Sequence, residues 1–210
     1  MTTLKQHRYR YRQHGVVLAV ALVWLLIATL LVVSSVQNAL QEHKAARAFR
    51  DRAIAFQAAE AGLIDAEADI EASPSPVLSR SALFAADRSE GFPADDDAIC
   101  QIGTENRFRG LCRASEDEGD ALLSLLDKDV AATSDGAASV EYGHFTGRTL
   151  QTGGGTLPSR LPRYLIELVR DHRRDTDAMF YVYRITAIGF GPQPNHQVVL
   201  QSFYRKALAS

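Results

Sequence analysis

The chain is poor in cysteine and tryptophan and has no strong excess of either charge. Its 210 residues include two Cys, one Trp, 23 Lys plus Arg and 25 Asp plus Glu, for a formal net charge of −2. This balance excludes a broad electrostatic footprint on nucleic acid. With 46% hydrophobic and 23% charged residues, the composition also excludes a mainly disordered chain, a collagen-like repeat and a multi-span membrane protein.

Signatures of catalysis are also missing. The sequence has no HExxH and no GxSxG, the patterns that hold a zinc ion or present a nucleophilic serine. The glycines at 153–155 are not followed by the Lys-Ser/Thr of a phosphate loop, and the aspartates at 95–97 lack the alternation of a calcium loop. We therefore predict a non-enzymatic protein with no cofactor, no metal and no direct nucleic-acid partner.

A segment near the N-terminus contains no charged residues. Residues 13–41 contain no Lys, Arg, Asp or Glu, and residues 16–33 are apolar except for Thr29. About 20 such residues span a ~30 Å hydrocarbon core as a helix, so we predict a transmembrane segment at 16–36 in contact with membrane lipid. Basic residues precede it, which places the N-terminus in the cytoplasm and exports the remainder across the inner membrane as a single-pass protein; they are Lys5, Arg8, Arg10 and Arg12.

Three interpretations fit this run. A cleaved secretory signal normally has a shorter apolar region and a small-x-small cleavage site. An uncleaved anchor would leave the chain intact. A third interpretation places cleavage on the cytoplasmic side, between Gly15 and Val16, because a short basic leader ends in a single Gly immediately before the apolar helix.

The helical pattern continues beyond the apolar run as an amphipathic stretch at 37–72. It ends where Pro74 and Pro76 cannot continue a helix. Residues 16–72 would form about 85 Å of helix at ~1.5 Å per residue, either unbroken or as an anchor followed by a separate helix. One apolar stripe is expected to face the core: Phe49, Ala53, Phe56, Leu63 and Ile70.

The second half of the chain is typical of β structure. Four segments are rich in Val, Ile, Tyr, Phe and Thr, at 140–146, 163–170, 180–190 and 197–206, and a short helix is predicted at 121–130. The last two strands flank a Gly-Pro-rich hairpin loop at 191–196. We expect a head at 77–210 in which an antiparallel sheet of about four strands packs on the N-terminal helix, an α+β fold.

The two cysteines, Cys100 and Cys112, are separated by eleven residues. This spacing is wrong for a CxxC redox motif or a zinc knuckle. In an exported domain the pair most simply forms a disulfide, worth roughly 2–3 kcal/mol. Two reduced thiols are the alternative if the domain stays in the cytosol.

Three segments together resemble one family. RQHGVVLAVALVWLLIATLL, RDRAIAFQAAEAGLIDAE and YRITAIGFGPQPNHQVVLQSFYRK resemble the processing site, the helical continuation and the C-terminal hairpin of PilX, a minor pilin of type IV pili. The resemblance implies a pilin-like fold, removal of residues 1–15 by prepilin peptidase after Gly15, and methylation of Val16.

The resemblance also implies a low-abundance structural subunit. It would prime pilus assembly with other minor pilins, the assembly machinery and a PilY-type tip adhesin, and so support twitching motility and adhesion. Its head would be periplasmic and, after assembly, part of the pilus.

One position departs from the usual pilin pattern. Most pilins carry Glu at the fifth mature position, which is Val20 here. We hypothesise that a subunit without this carboxylate lies at or near the tip, where no subunit precedes it. Two other functions remain open: a type II secretion pseudopilin of the GspK kind, which also lacks the Glu, and a bitopic inner-membrane adaptor with a periplasmic domain.

Overall fold

The structure is a computed structural model that describes residues 16–84, 89–94, 99–114, 122, 125–126, 138–172, 179–193 and 195–206, with backbone alone at 38–40, 170–172 and 179–180. The chain divides into two compact units, Met1–Ala48 and Phe49–Ser210. Helix α1 spans Val16–Glu71.

In the first unit, α1 begins with an apolar stretch, and every described side chain of the helix there is exposed. Its most apolar 18-residue window has a mean hydropathy of 3.1, which makes the helix long and apolar enough to cross a membrane. The few hydroxyl groups in this stretch satisfy their hydrogen-bonding capacity within the helix, as an apolar environment requires. Thr29 donates to the Leu26 carbonyl at 2.8 Å, Ser34 to Leu30 at 2.9 Å and Ser35 to Leu31 at 2.9 Å.

In the second unit, α1 ends at Glu71, one residue before the predicted end. The two prolines that follow prevent its continuation. The ammonium group of Lys206 donates to the Ile70 carbonyl at 2.8 Å and to the Ser81 carbonyl at 2.7 Å. A cation on the last carbonyls satisfies acceptors that the helix leaves unpaired, so the C-terminal end of the sheet is joined to the end of the helix.

The sheet has five strands: β1 (Leu111–Arg113), β2 (Val140–Glu141), β3 (Arg163–His172), β4 (Met179–Phe190) and β5 (Gln197–Tyr204). Their order is β1-β3-β4-β5, and β2 pairs with β3 beside β1. The three long strands lie where their composition predicts them, and the α+β, pilin-like fold is confirmed.

Two details of the predicted sheet are wrong. The sheet is mixed rather than antiparallel, because β1 pairs with β3 in parallel; three residues are too few to show a periodicity, and the long connection between the strands permits a parallel pair. The strand expected at 140–146 is reduced to β2, since the chain turns at Gly143 with a φ of +81°.

Only part of the predicted apolar stripe of α1 faces the sheet. Phe49 is 76% exposed and Phe56 is 43% exposed. The buried face consists instead of small and acidic residues together with Ile70: Asp51, Ala55, Ala58, Ala59, Gly62, Asp65, Ala66 and Asp69. Small side chains permit a closer approach of the helix to the sheet than phenylalanines would.

Two groups of buried side chains form the core on this frame. The larger group surrounds Tyr164, Ile166 and Ile185 between α1 and the sheet. The smaller one surrounds the two cysteines and Phe190. Of the short helix predicted at 121–130, the structure describes three helical residues, and two of them, Leu122 and Leu126, are buried in the smaller group.

Candidate functional site

The junction between α1 and β4 is a contact of backbone against backbone. A Cβ atom added at Gly189 would lie 2.1 Å from the Ala59 nitrogen and 2.3 Å from the Ala55 oxygen. A Cβ at Gly62 on the helix would lie 3.3 Å from the Cβ of Ala187. Glycine at 189 is therefore a steric requirement of this helix–sheet distance.

Three aspartates on the same helix face are buried, and each faces a different segment of the head: Asp51, Asp65 and Asp69. Since an isolated charge is costly away from water, buried carboxylates need hydrogen-bond donors or cations. Their partners therefore fix how the loops are arranged around the helix.

Asp69 forms a buried ion pair with Arg80. The guanidinium Nε and Nη2 atoms of Arg80 donate to the carboxylate at 3.0 and 2.7 Å, in the bidentate manner that favours Arg–carboxylate pairs. The Tyr164 hydroxyl donates to the same carboxylate at 3.0 Å. Burial, and then the negative charge of Asp69, hold the pKa of Tyr164 well above its usual range, so the hydroxyl stays a donor.

The Arg80 guanidinium also contacts loops that follow it in the chain. Its Nη1 atom donates to the carbonyls of Arg107 at 2.9 Å and Arg109 at 2.6 Å. The guanidinium carbon lies 3.7 Å from the centroid of the Phe145 ring, a cation–π contact. One buried cation thus joins the helix, the segment after it and the cysteine-containing hairpin.

Asp65 binds the turn that follows β2. It accepts a hydrogen bond from the Gly143 nitrogen at 2.7 Å and another from the Thr146 hydroxyl. Burial raises the pKa of Asp65, and the two hydrogen bonds oppose that rise without cancelling it. The carboxylate is therefore well placed sterically but disfavoured in its ionised form.

Asp51 lies at the hairpin loop between β4 and β5. Its carboxylate is 3.4 Å from the His196 Nδ1 atom and 3.4 Å from Arg50 Nη2. The His196 Nδ1 atom makes no hydrogen bond within the described residues, so its contact with Asp51 is one of proximity only. Along the helix, the three aspartates thus meet the hairpin loop, the turn after β2 and Arg80.

The disulfide joins Cys100 and Cys112, with an S–S distance of 2.03 Å. Around it, residues 99–101 run antiparallel to β1 through backbone hydrogen bonds: Gln101 N to Leu111 O at 2.9 Å, Gly110 N to Gln101 O at 3.2 Å and Arg113 N to Ile99 O at 3.0 Å. This pairing defines the cystine hairpin, residues 99–113, which covers the outer edge of β1.

The other residues singled out in the sequence are separate from one another. Val16 is 69% exposed at the first described position, while Gly15 and the aspartates at 95–97 lie outside the described residues. His144 packs edge-on against Phe145; burial, and then the charges of Arg109 and Arg80, lower the pKa of its imidazole. No three His, Cys, Asp or Glu side chains in the described ranges are grouped to hold a metal ion.

Sequence reasoning missed the buried aspartates and Arg80. A signal was present, because Ala and Gly alternate with these acids on one helix face, a pattern typical of close packing combined with polar contacts. The partners of Asp69 could not be found in this way, since Arg80 and Tyr164 are 11 and 95 residues away.

These features define the class of the protein. A long N-terminal helix, apolar over residues 16–33 apart from Thr29 and packed along its second part on a small sheet, is the architecture of a pilin-like subunit. The description PilX N-terminal matches residues 14–63, and Type IV pilus assembly protein PilX C-term matches residues 108–206. The chain belongs to the PilX family, which supplies structural components of type IV pili.

Neither the search of curated proteins nor the search of solved structures gave a match to this chain.

Proposed function

We propose that the protein is a minor pilin that primes assembly of a type IV pilus. The observation that carries this proposal is the pair of PilX matches, because they cover both the apolar part of α1 and the sheet that packs on its second part. The protein would act as a structural subunit, joining other minor pilins and a PilY-type tip adhesin, and it would support twitching motility and adhesion through the assembled pilus.

The proposal divides the chain into functional segments. Residues 1–15 form a leader that prepilin peptidase removes, residues 16–36 form the membrane segment, residues 37–72 continue the helix and residues 77–210 form the exported head. The single Gly15 between the basic leader and the apolar run supports this division. So does the basic character of the leader, since positive charge stays on the cytoplasmic side.

Intact-mass measurement of the protein from its native membrane tests the processing step. A mass that begins at Val16, with an added methyl group and two hydrogens fewer for the disulfide, is the expected result. A mass that retains residues 1–15 in cells with active prepilin peptidase would refute processing and leave the bitopic adaptor.

Deletion of the chromosomal copy tests the assembly role. We expect fewer pili per cell, loss of twitching, and recovery of both on complementation. Unchanged piliation together with a defect in type II secretion would contradict the proposal and favour the GspK-like pseudopilin.

Val20 supports a position at the tip. It is 49% exposed on α1, and an apolar side chain there avoids an unpaired carboxylate in lipid, which would cost several kcal/mol. We expect Val20→Glu to incorporate within the pilus shaft and the wild type to be absent from it, as measured by immunogold labelling along sheared pili. Equal labelling of the shaft by both proteins would contradict the tip position.

A further inference from the structure

The two outer edges of the sheet differ in how they are protected. On one side, the backbone groups of β1 pair with the cystine hairpin. On the other side β5 is an edge strand, and among the described residues it pairs only with β4. An edge strand presents a row of free N–H and C=O groups to which another strand can bind.

Within the part of the chain that the structure describes, the β5 edge lacks the devices that natural proteins use to prevent such pairing. Edge strands are usually short, charged, bulged or interrupted by proline. β5 has eight residues, pairs with β4 from Tyr204 through Gln197 without a break in register, and contains no proline and no charged side chain. Every second residue of β5 directs its N–H and C=O groups away from β4, and these outward groups therefore form a regular template.

The side chains of β5 indicate what a bound strand would contact. Val199 and Phe203 lie on one face of β5 and are 39% and 65% exposed. The exposed Gln201 lies between them on the same face. On the opposite face Val198 and Leu200 are half-buried. A strand placed beside β5 would thus meet apolar side chains on both faces of β5 and no charged side chain of that strand.

We propose that β5 binds an extended, uncharged segment of another pilus protein by strand addition. Main-chain hydrogen bonds would supply the binding, and apolar side chains at alternate positions of the incoming segment would contact Val199 and Phe203. This inference deepens the proposed function, on which it rests, by naming the surface and the kind of partner.

The occupant is a different chain rather than a second copy. A symmetric antiparallel pair of β5 strands has its two-fold axis normal to the sheet. That axis would reverse the direction of α1 in the second copy, because α1 lies against the sheet. Subunits of one membrane or one filament share a single polarity, so the symmetric pair is excluded in the assembled state.

The test uses the full-length protein in its native cells. A photo-reactive benzoylphenylalanine is placed at Val199, Gln201 or Phe203 in turn, with Ile102, which is 49% exposed in the cystine hairpin, as the matched control. We expect the three β5 positions to crosslink to one segment of one partner, at sites two residues apart in consistent order. Such a ladder is specific to strand pairing, because paired residues advance in steps of two.

A second variant tests the same contact without a crosslinker. Val199→Lys combined with Phe203→Lys places two cations on the edge, and both sites are exposed enough for the head to fold. We expect roughly tenfold fewer pili per cell at unchanged protein level, since charge on an edge strand opposes pairing. The matched control, Ile102→Lys, should leave piliation unchanged.

The outcomes separate the two proposals. If deletion of the protein does not reduce piliation, the proposed function fails. If deletion reduces piliation but the two lysines do not, or the crosslinks scatter or are absent, strand addition is overturned. A ladder that maps onto β5 of a second copy would also overturn the inference, because it would identify self-association.

Discussion

At the scale of single residues, the head depends on carboxylates that the fold removes from water. Asp65 and Asp69 are both completely buried, yet they differ in their partners. Asp69 has a cation and a phenol, whereas Asp65 has a backbone amide and a hydroxyl. At Asp65 burial outweighs the two hydrogen bonds and disfavours the ionised form.

Asp65 gives a pH-dependent contribution to stability. Because its folded pKa lies above the ordinary value of 3.8, the contribution is fully present below the unfolded pKa and is lost as pH rises through the folded pKa. We expect Asp65→Asn, whose side-chain oxygen still accepts from Gly143, to gain stability relative to wild type as pH rises from about 4 to 7. The measurement is thermal unfolding of the full chain in detergent, followed by the near-ultraviolet signal of the head's tyrosines.

The control for this prediction is Glu60→Gln on the exposed face of α1. Its stability difference from wild type should not follow the Asp65→Asn trend. A difference between Asp65→Asn and wild type that stays constant over the pH range would contradict a raised pKa at Asp65.

Removing only one partner of the Asp69–Arg80 ion pair should strongly lower the free energy of unfolding. Arg80→Met leaves a buried carboxylate without its cation, and we expect a loss of about 3–5 kcal/mol in the free energy of unfolding. Asp69→Asn combined with Arg80→Met should recover part of that loss, because neither charge then remains buried alone. Urea unfolding of the two single variants and the double variant gives a double-mutant cycle. If the free-energy change of the double variant equalled the sum of the two single changes, the coupling between Asp69 and Arg80 would be refuted.

At the scale of elements, the sequence predicted the long strands better than the helix face. β3 and β4 follow from their β-branched and aromatic residues, whereas the three residues of β1 give no periodic signal. The helix face was predicted from hydrophobicity, which selects Phe49 and Phe56. In the structure, the buried face of α1 is instead the one with small side chains, because the α1–β4 contact leaves no room for a side chain at Gly189.

The same contact can be tested by adding one methyl group. Gly189→Ala would place a Cβ within 2.1 Å of the α1 backbone, so the helix and sheet must separate. We expect a loss of about 3 kcal/mol or more in the free energy of unfolding, at the upper end for overpacking. Urea unfolding measures this loss.

Gly154→Ala is the matched control, since a Cβ there has nothing within 4 Å. We expect a change of no more than about 0.5 kcal/mol in the free energy of unfolding. Equal effects at 154 and 189 would contradict a backbone contact between α1 and β4.

The cystine hairpin is the remaining element with a measurable contribution. Cys100→Ser combined with Cys112→Ser opens a loop whose ends are 12 residues apart. We expect a loss of roughly 2–3 kcal/mol in the free energy of unfolding. Adding a reductant to the wild type should produce the same shift in urea midpoint and no further shift in the variant; an additional shift in the variant would refute the assignment.

At the scale of the whole molecule, α1 has opposite surroundings in the two units. All described side chains of the first unit are exposed, while in the second unit one face of the helix is packed and the opposite face, with Phe49, Phe56 and Ile64, is exposed. The apolar run predicted the first of these environments directly. The second depends on long-range pairs such as Asp65 with Thr146, which no local pattern contains.

The position of the disulfide at a sheet edge also sets an order of events during biogenesis. The covalent bond that holds the cover of β1 in place forms only by oxidation, so a newly made, reduced head has one edge secured by hydrogen bonds alone and the β5 edge open. The window for wrong strand pairing at the β1 edge lasts as long as oxidation is delayed. The supply of thiol oxidant would then set how long the cover of β1 depends on hydrogen bonds alone.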